Sequence, residues 1–427
     1  MKIVKPTLEQ QVWADCEIGV IIHLDIQVFE PEYDFRQRRG YSPDPNIFNP
    51  TQLDTDQWLA AAKSLGAKYA VLVAKHCTGF SLWPTQAHEY SVKSSHWRSG
   101  HADIVRDFLA SCRRYGIRPG LYCSTGCNAF CDVANVLVRS GDISLQARYN
   151  EIVFRQLNEL WGNYGDLFEI WFDGGIPPLY QNEVERLINR LQPKAVCFQG
   201  PYSHGSLLRW PGNEDGRAPY PCWAATDELT QEDGTTEISG VNGNPDGVIW
   251  APAECDMPCR SQDEAFGCGW FWKRGEDHLL YSLDYLMERY YQSVGRNGNL
   301  LLGMVIDDRG LVPEVDCARF AEFGREIRKR FSLAKGGESG TGDQFEIILN
   351  SSTAITQAVL AEDIRHGERV REYEIEACLN GDWQTVVSGS CIGHKRIERF
   401  SAVMSNRFRL NIGQSVEKPI IREFSIL

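Results

Sequence analysis

Between residues 19 and 305 the chain alternates short runs of apolar, β-branched residues with longer stretches of helical spacing. Strand-like runs fall at residues 19–25, 68–75, 118–124, 167–173, 195–199, 207–210, 247–250 and 299–305. Helical spacing falls between them, at residues 54–65, 103–115, 145–164, 182–191 and 277–294. Asp54 or Thr55 is placed to cap the first of these helices, and Ile104, Phe108, Leu109 and Cys112 share one face of the second. Alternation of this kind over about 330 residues calls for a parallel sheet with helices outside it. No Gly-x-Gly-x-x-Gly follows the first strand. A closed (β/α)8-like TIM barrel over residues 1–334 is therefore favoured over a dinucleotide-binding sheet.

The pattern changes after residue 334. Lys335-Gly336-Gly337-Glu338-Ser339-Gly340-Thr341-Gly342 reads as a Gly-rich linker, spanning residues 335–344. Short alternating strands follow at residues 345–349, 358–360, 370–377, 383–387, 407–410 and 420–426. They suggest a small antiparallel β-sandwich at residues 345–427. No internal repeat of solenoid length is present.

Charge and cysteine content narrow the partners. With 44 Lys and Arg against 57 Asp and Glu, the net charge is −13. That disfavours nucleic acid or an anionic membrane as the main partner, and the basic group Arg36, Arg38 and Arg39 is small. No run of 18 apolar residues spans a membrane. The first six residues carry no apolar signal segment, and 14 cysteines without one suit a reducing cytoplasm. A secreted form with its signal removed would read the same. Cys123, Cys127 and Cys131, like Cys255 and Cys259, are spaced by four, wider than the usual Cys-x2-Cys zinc pairs. Unligated or partly buried thiols are the plain reading.

The strand ends carry the chemistry. His23 follows an apolar run, and Lys75-His76-Cys77 through Trp83 follows the next. Tyr122-Cys123-Ser124 closes the third. Leu167-Phe168-Glu169-Ile170-Trp171-Phe172-Asp173-Gly174-Gly175 is a buried run ending in a lone carboxylate. Arg209-Trp210-Pro211-Gly212-Asn213-Glu214 and Trp250-Ala251-Pro252-Ala253-Glu254 end later ones. Taken singly, each has a plain structural reading: Asp173 as a turn residue, the histidines as structural hydrogen-bonders, Trp83 and Trp210 as core, Glu214 and Glu254 as solvated acids. A barrel gathers such ends around one pocket. Aromatic faces and carboxylates in one cleft suit a sugar ring, whose C–H patch packs on the rings while its hydroxyls meet the polar groups.

These segments also resemble a known family. Val73-Ala74-Lys75-His76-Cys77-Thr78-Gly79-Phe80-Ser81-Leu82-Trp83 is similar to the A-K-H-H-D-G-F-x-L-W pattern of α-L-fucosidases of glycoside hydrolase family 29. Residues 169–175 resemble that family's nucleophile strand. Residues 209–214 resemble the R-W-x-G-N-E segment of its 1,3/1,4-fucosidase branch. Residues 293–302 match S-V-G-x-N-G-N-L-L-L, and Gly269-Trp270-Phe271 its G-W-F turn. The motifs stand in family order across roughly residues 10–330, and the β-rich tail matches the family's accessory sandwich.

The resemblance implies a retaining exo-glycosidase that releases terminal α-L-fucose from oligosaccharides, with no metal and no organic cofactor. Asp173 would be the nucleophile and Glu214 the acid/base, with Glu254 as its rival. His23, His76, Cys77, Trp83, Tyr122, Trp210, Arg260 and Trp270 would bind substrate. The chain departs from the pattern at Cys77 and Thr78, where the family has His and Asp, and at Leu24-Asp25, where it has Trp or Phe and Gly. Glu32-Tyr33 is the nearest counterpart of an expected Glu-Trp, and Leu302-Gly303-Met304-Val305 replaces L-N-I-G. An exo-glycosidase for a related sugar such as α-L-galactose, or a catalytically silent carbohydrate-binding barrel, are the alternatives.

Overall fold

Eight strands buried on both faces form the frame, and such strands read as continuous apolar runs because helices cover one side and the barrel interior the other. In the computed structural model they are β1 (Ile18–His23), β2 (Tyr69–Lys75), β3 (Arg118–Cys123), β4 (Glu169–Trp171), β5 (Val196–Phe198), β6 (Leu207–Leu208), β7 (Ala253–Met257) and β8 (Gly298–Val305). The structure describes residues 3–38, 40–201, 204–230, 236–238, 241–332 and 334–427. Arg39 of the small basic group lies outside the described residues. Neighbouring strands are parallel, in the order β7-β8-β1-β2-β3-β4-β5-β6. A parallel bridge between Arg209 and Ala253 joins the two ends into a TIM-like ring. There Arg209 N donates to the Pro252 carbonyl and Glu254 N to the Arg209 carbonyl, each at 3.0 Å.

Side chains alternate along each strand. Val20, Ile22, Leu72, Ala74, Leu300 and Leu302 point outward into the core shared with the helices. Ile21, Val71, Val73, Tyr122, Trp171 and Leu301 point inward. The outer layer includes α2 (Thr55–Leu65), α3 (Ile104–Tyr115), α4 (Ile143–Gly162), α5 (Gln181–Leu191), α6 (Leu283–Gln292) and α7 (Glu314–Phe331). Asp54 caps α2 by accepting from the N–H of Asp56 and Gln57, as its position in the sequence suggests.

Two features escape the sequence pattern. The short helix α1 (Leu8–Ala14) closes the N-terminal end of the barrel. Its Gln10 Nε2 donates to the Leu207 and Trp250 carbonyls at 2.8 Å each, and Asn299 Nδ2 donates to the Trp13 carbonyl at 2.8 Å. The run at residues 247–250 is not a barrel strand either. Ile249–Trp250 pairs antiparallel with Ala225–Thr226, and the ring position belongs to Ala253–Met257. Glu254 and Asp256 face inward there, so a fully buried strand carries a polar stripe that hides it.

The tail is a six-stranded antiparallel sheet: β9 (Gly336–Thr341), β10 (Gln344–Glu362), β11 (Val370–Leu379), β12 (Asp382–Gly389), β13 (Arg396–Ser415) and β14 (Ile420–Ile426), in the order β9-β14-β10-β13-β11-β12. The expected linker at residues 335–344 is therefore largely an edge strand, paired with β14. Its glycines carry no side chains to alternate between the two faces, which is why it reads as a loop. The long strands β10 and β13 shift register between Ile348 and Thr353 and again between Ile355 and Gln357. Such irregularities bend a strand, so β10 and β13 pass through both halves of the sheet and enclose one apolar core.

Barrel and tail are pinned together at Asn297, held at φ 64°. Its Nδ2 donates to the Cys222 carbonyl at 2.9 Å and to Glu368 at 2.5 Å, and its Oδ1 accepts from His394 N at 2.6 Å. In the tail, buried Glu362 accepts from the N–H of Arg369, Val370 and Gly393 at 2.8, 3.0 and 3.1 Å. Burial nevertheless pushes its carboxyl up to about 7. From the ordinary carboxylate range up to pH 7 the unfolded chain loses a proton that the folded chain keeps, so stability falls as pH rises, by about 3 kcal/mol at most. Urea unfolding at pH 5 and pH 7 should show a smaller loss in Glu362→Gln than in the unaltered protein; equal losses would refute this.

Candidate active site

At the C-terminal end of the barrel strands lies a cavity of about 580 Å³. His23, His76, Tyr122, Asp173, Glu214 and Trp270 all line it. The barrel thus gathers residues that are far apart in sequence, as expected from the strand ends.

The alternation of β4 builds the first half of the site. Glu169, Trp171 and Asp173 lie two apart. Glu169 sits in the sealed interior, Trp171 stacks on Phe198 at 4.2 Å, and Asp173 emerges exposed at the mouth. Tyr122 Oη, from β3, donates to Asp173 Oδ2 at 2.8 Å. Gly174 follows at φ 70°, a left-handed turn that favours glycine and ends the strand.

The second half is the loop after β6. Arg209 is buried and donates to the Ala251 carbonyl and, at 3.3 Å, to Cys222 Sγ. Asn213 Nδ2 donates to the Arg217 carbonyl at 2.9 Å, while its Oδ1 accepts from Asp215 N at 3.1 Å. Between these anchors Glu214 is exposed to the cavity. Trp270 Nε1 donates to its Oε2 at 3.1 Å and Gln262 Nε2 to the same oxygen at 3.3 Å.

His23 and His76 form an aromatic wall with Trp270 and Phe271, at centroid distances of 5.0 Å for His23–Trp270 and 5.0 Å for His76–Phe271. Burial pulls both imidazoles down to about 3, so both are neutral near pH 7. Each then offers one N–H donor and one ring-nitrogen acceptor.

Two departures from the family pattern meet in space. Thr78 Oγ1 donates to Asp25, lying 2.8 and 2.9 Å from its two oxygens. Asp25 also accepts from Ile26 N at 2.6 Å and Gln27 Nε2 at 3.1 Å, and burial raises its carboxyl to about 7. The carboxylate missing at position 78 is supplied from position 25, and the hydroxyl at 78 bonds it.

Five expected site residues stand elsewhere. Trp83 is buried under α4, its indole donating to Glu159 Oε2 at 2.9 Å. Arg260 is not at the rim: its side chain is fully buried and ion-paired with Asp316 of α7, with Nη2–Oδ1 at 2.8 Å. Glu254 is sealed inside the barrel, accepting from Tyr69 Oη at 2.6 Å and Trp171 Nε1 at 3.0 Å, and does not line the cavity. Its position two residues before Asp256 explains the near miss, since Asp256 is the β7 carboxylate that reaches the cavity. Desolvation, and then the charge of Glu214, raise Asp256 well above the carboxylate range, while the partly exposed Trp210 hydrogen-bonds it from outside the lining. Cys77 lines an adjoining cavity of about 390 Å³ rather than the main one.

Asp256, Phe35, Arg36 and Phe271 line the main cavity without having been expected as site residues. Period-two counting from Glu254 would have found Asp256; the others come from loops with no periodic signal. Glu32 and Tyr33, the counterpart of the expected Glu-Trp, do line it. Because Trp83 touches Glu159 and not the cavity, Trp83→Phe should lower stability by about 1–3 kcal/mol, from a lost hydrogen bond to a carboxylate and lost volume at a buried site. The Michaelis constant should not change; a raised one would return Trp83 to the site.

Known proteins place this geometry. The α-L-fucosidase family model matches residues 11–203. Alpha-L-fucosidase 1 of Arabidopsis thaliana is 31% identical, the alignment covering 97% of this chain and 86% of that protein. A Bacteroides thetaiotaomicron structure, provisionally assigned as an α-L-fucosidase, superposes with a TM-score of 0.93 at 37% identity, over 100% of this chain and 99% of that one. A Ruminococcus gnavus family 29 fucosidase in complex with fucose shares the fold, with a TM-score of 0.84 at 22% identity over 99% of this chain and 94% of that one. With its TIM-like barrel, antiparallel tail and full-length relatives, this chain belongs to the α-L-fucosidase family and is a glycoside hydrolase.

Proposed function

We propose that the cavity removes terminal α-L-fucose from α1,3- and α1,4-linked oligosaccharides by double displacement. The observation that carries this reading is that Asp173 and Glu214, both exposed and each held by an aromatic donor, line one cavity with two neutral histidines. Asp173 attacks the anomeric carbon, and Glu214 gives its proton to the departing glycosidic oxygen. A glycosyl ester on Asp173 results. Glu214 then takes a proton from water as that water attacks the ester carbon, and free L-fucose leaves with its original configuration. Tyr122 orients Asp173 through the free-standing Oη hydrogen bond, while His23 and His76 meet the sugar hydroxyls. Trp270 and Phe271 offer apolar faces to the C–H side of the ring.

The linkage preference rests on the Arg209–Glu214 segment, whose anchors fix the acid on the loop after β6 as the 1,3/1,4 branch pattern implies. Substrate binding thus draws on a small-molecule glycan, with the open mouth at Phe35 and Arg36 left for the rest of the oligosaccharide.

The test is release of L-fucose from an aryl α-L-fucoside, an α1,2-fucosyl-lactose and α1,3/1,4-fucosylated branched trisaccharides. Release from the branched glycans above the α1,2 substrate is expected; the reverse order would remove the linkage assignment. Asp173→Ala should abolish turnover, and azide should rescue Asp173→Gly as the inverted glycosyl azide. Glu214→Ala should spare activated aryl fucosides far more than natural glycans, because a good leaving group needs no proton. Equal losses on both would take the acid role from Glu214. Tyr122→Phe should lower kcat by about 10- to 100-fold, the range for a hydrogen bond to a charged group.

A further inference from the structure

The substitution of Cys77 for the family histidine does more than remove an imidazole. His76, Cys77 and Asp173 each offer one ligand atom, and these atoms lie within 4.8 Å of one another. Residues 76 and 77 follow β2, whereas Asp173 follows β4, so the fold and not the sequence spacing assembles the group. His76 Nδ1 is buried with no hydrogen-bond partner among the described residues. Tyr122 donates to Asp173 Oδ2, and among the described residues no second hydrogen bond reaches that carboxylate.

A second thiol stands beside the first. Cys127 lines the same adjoining cavity as Cys77, and its Sγ lies 4.0 Å from the Cys77 carbonyl oxygen. Neither thiol is in a disulfide. Nitrogen, thiolate and carboxylate together are the donor set of zinc and other borderline-soft divalent ions. Tetrahedral zinc, with bonds of about 2.0–2.3 Å, sets its ligands about 3.3–3.8 Å apart. Drawing the trio in from 4.8 Å takes side-chain rotation of roughly one ångström, well within rotamer adjustment at a cavity edge.

We propose that His76, Cys77 and Asp173 form a binding site for thiophilic divalent cations, with zinc as the natural occupant and a water as the fourth ligand. Binding converts the Cys77 thiol to a metal thiolate and releases one proton to solvent. The lone pairs of an imidazole nitrogen and a carboxylate oxygen complete the set, and no electron is transferred. The site itself stands on this geometry; its effect on turnover rests on Asp173 being the nucleophile. A metal held there occupies the attacking oxygen and displaces His76 from the sugar, so the ion inhibits reversibly and competes with the glycan.

The experiment titrates Co2+ into the EDTA-treated full chain, kept reduced and free of chelator, and follows the thiolate-to-cobalt charge-transfer absorption. One ion per chain is expected, with Zn2+ displacing it. Cys77→Ser should abolish the charge-transfer band and weaken Zn2+ binding by at least about tenfold. Asp173→Asn should keep the band and weaken binding, and Cys378→Ser, in the tail, should change neither. Circular dichroism of Cys77→Ser checks that it folds, and Cys127→Ser, which removes the neighbouring thiol but no ligand, should keep the band; its loss there would move the thiolate to Cys127 and overturn the site as assigned. A band that survives Cys77→Ser, or an absence of saturable binding up to millimolar Co2+, overturns the site. L-Fucose added to the cobalt protein should release the ion. If the band depends on Cys77 and the affinity on Asp173, but L-fucose leaves the bound ion in place, the metal site stands and the sugar-binding reading of the cavity falls.

Discussion

Closure of the eight-strand ring is the constraint on which the rest depends. Once Arg209 and Ala253 bridge the last gap, every inward side chain must either fill the interior or surface at an end. The N-terminal end is plugged by the helix carrying Gln10 and Trp13, so polar groups can reach solvent only at the other. Alternation then grades each strand. The same face of β4 holds Glu169 in the sealed floor and Asp173 at the open mouth, and the same face of β7 holds Glu254 below and Asp256 above. Burial separates these pairs of like residues into structural and cavity-facing roles. Glu169 and Glu254, lodged together beside Tyr69 and Trp171, are both pushed above the ordinary carboxylate range by desolvation.

Much of this was legible in the sequence, and the reasons it was legible also explain the misses. Strands such as β1 and β2 carry apolar residues on both faces, so they announce themselves. The β7 strand does not, because two acids occupy its inward face. Asp173 could be found because an apolar run stops at it. Arg260 and Trp83 could not be placed, because a buried ion pair with Asp316 and an indole bond to Glu159 depend on helices that arrive from elsewhere in the chain. The cavity wall from Phe35, Arg36 and Phe271 is built by loops, where periodicity carries no information.

The departures at positions 25 and 78 show that sequence mismatch and structural mismatch differ. Each looks like a loss when read alone. Together they put a carboxylate at position 25, where the family has glycine, in hydrogen-bond contact with the hydroxyl at position 78, and so keep a buried acid beside the histidine-bearing loop. Cys77 has no such partner substitution. It faces Cys127 and the adjoining cavity instead, which puts a thiol where the family pattern has an imidazole.

The Asn297 junction bears on how such a protein can be cut or inherited. This residue belongs to the best-matched sequence motif, yet it touches no part of the cavity; its amide instead reads Glu368 and the His394 backbone in the tail. Gly393 packs against that same amide with no room for a side chain. A barrel separated from its tail would leave a left-handed asparagine and its buried acceptors facing water. The two parts are therefore one unit of exchange, and a catalytic fragment trimmed after α7 is a different molecule rather than a smaller version of this one.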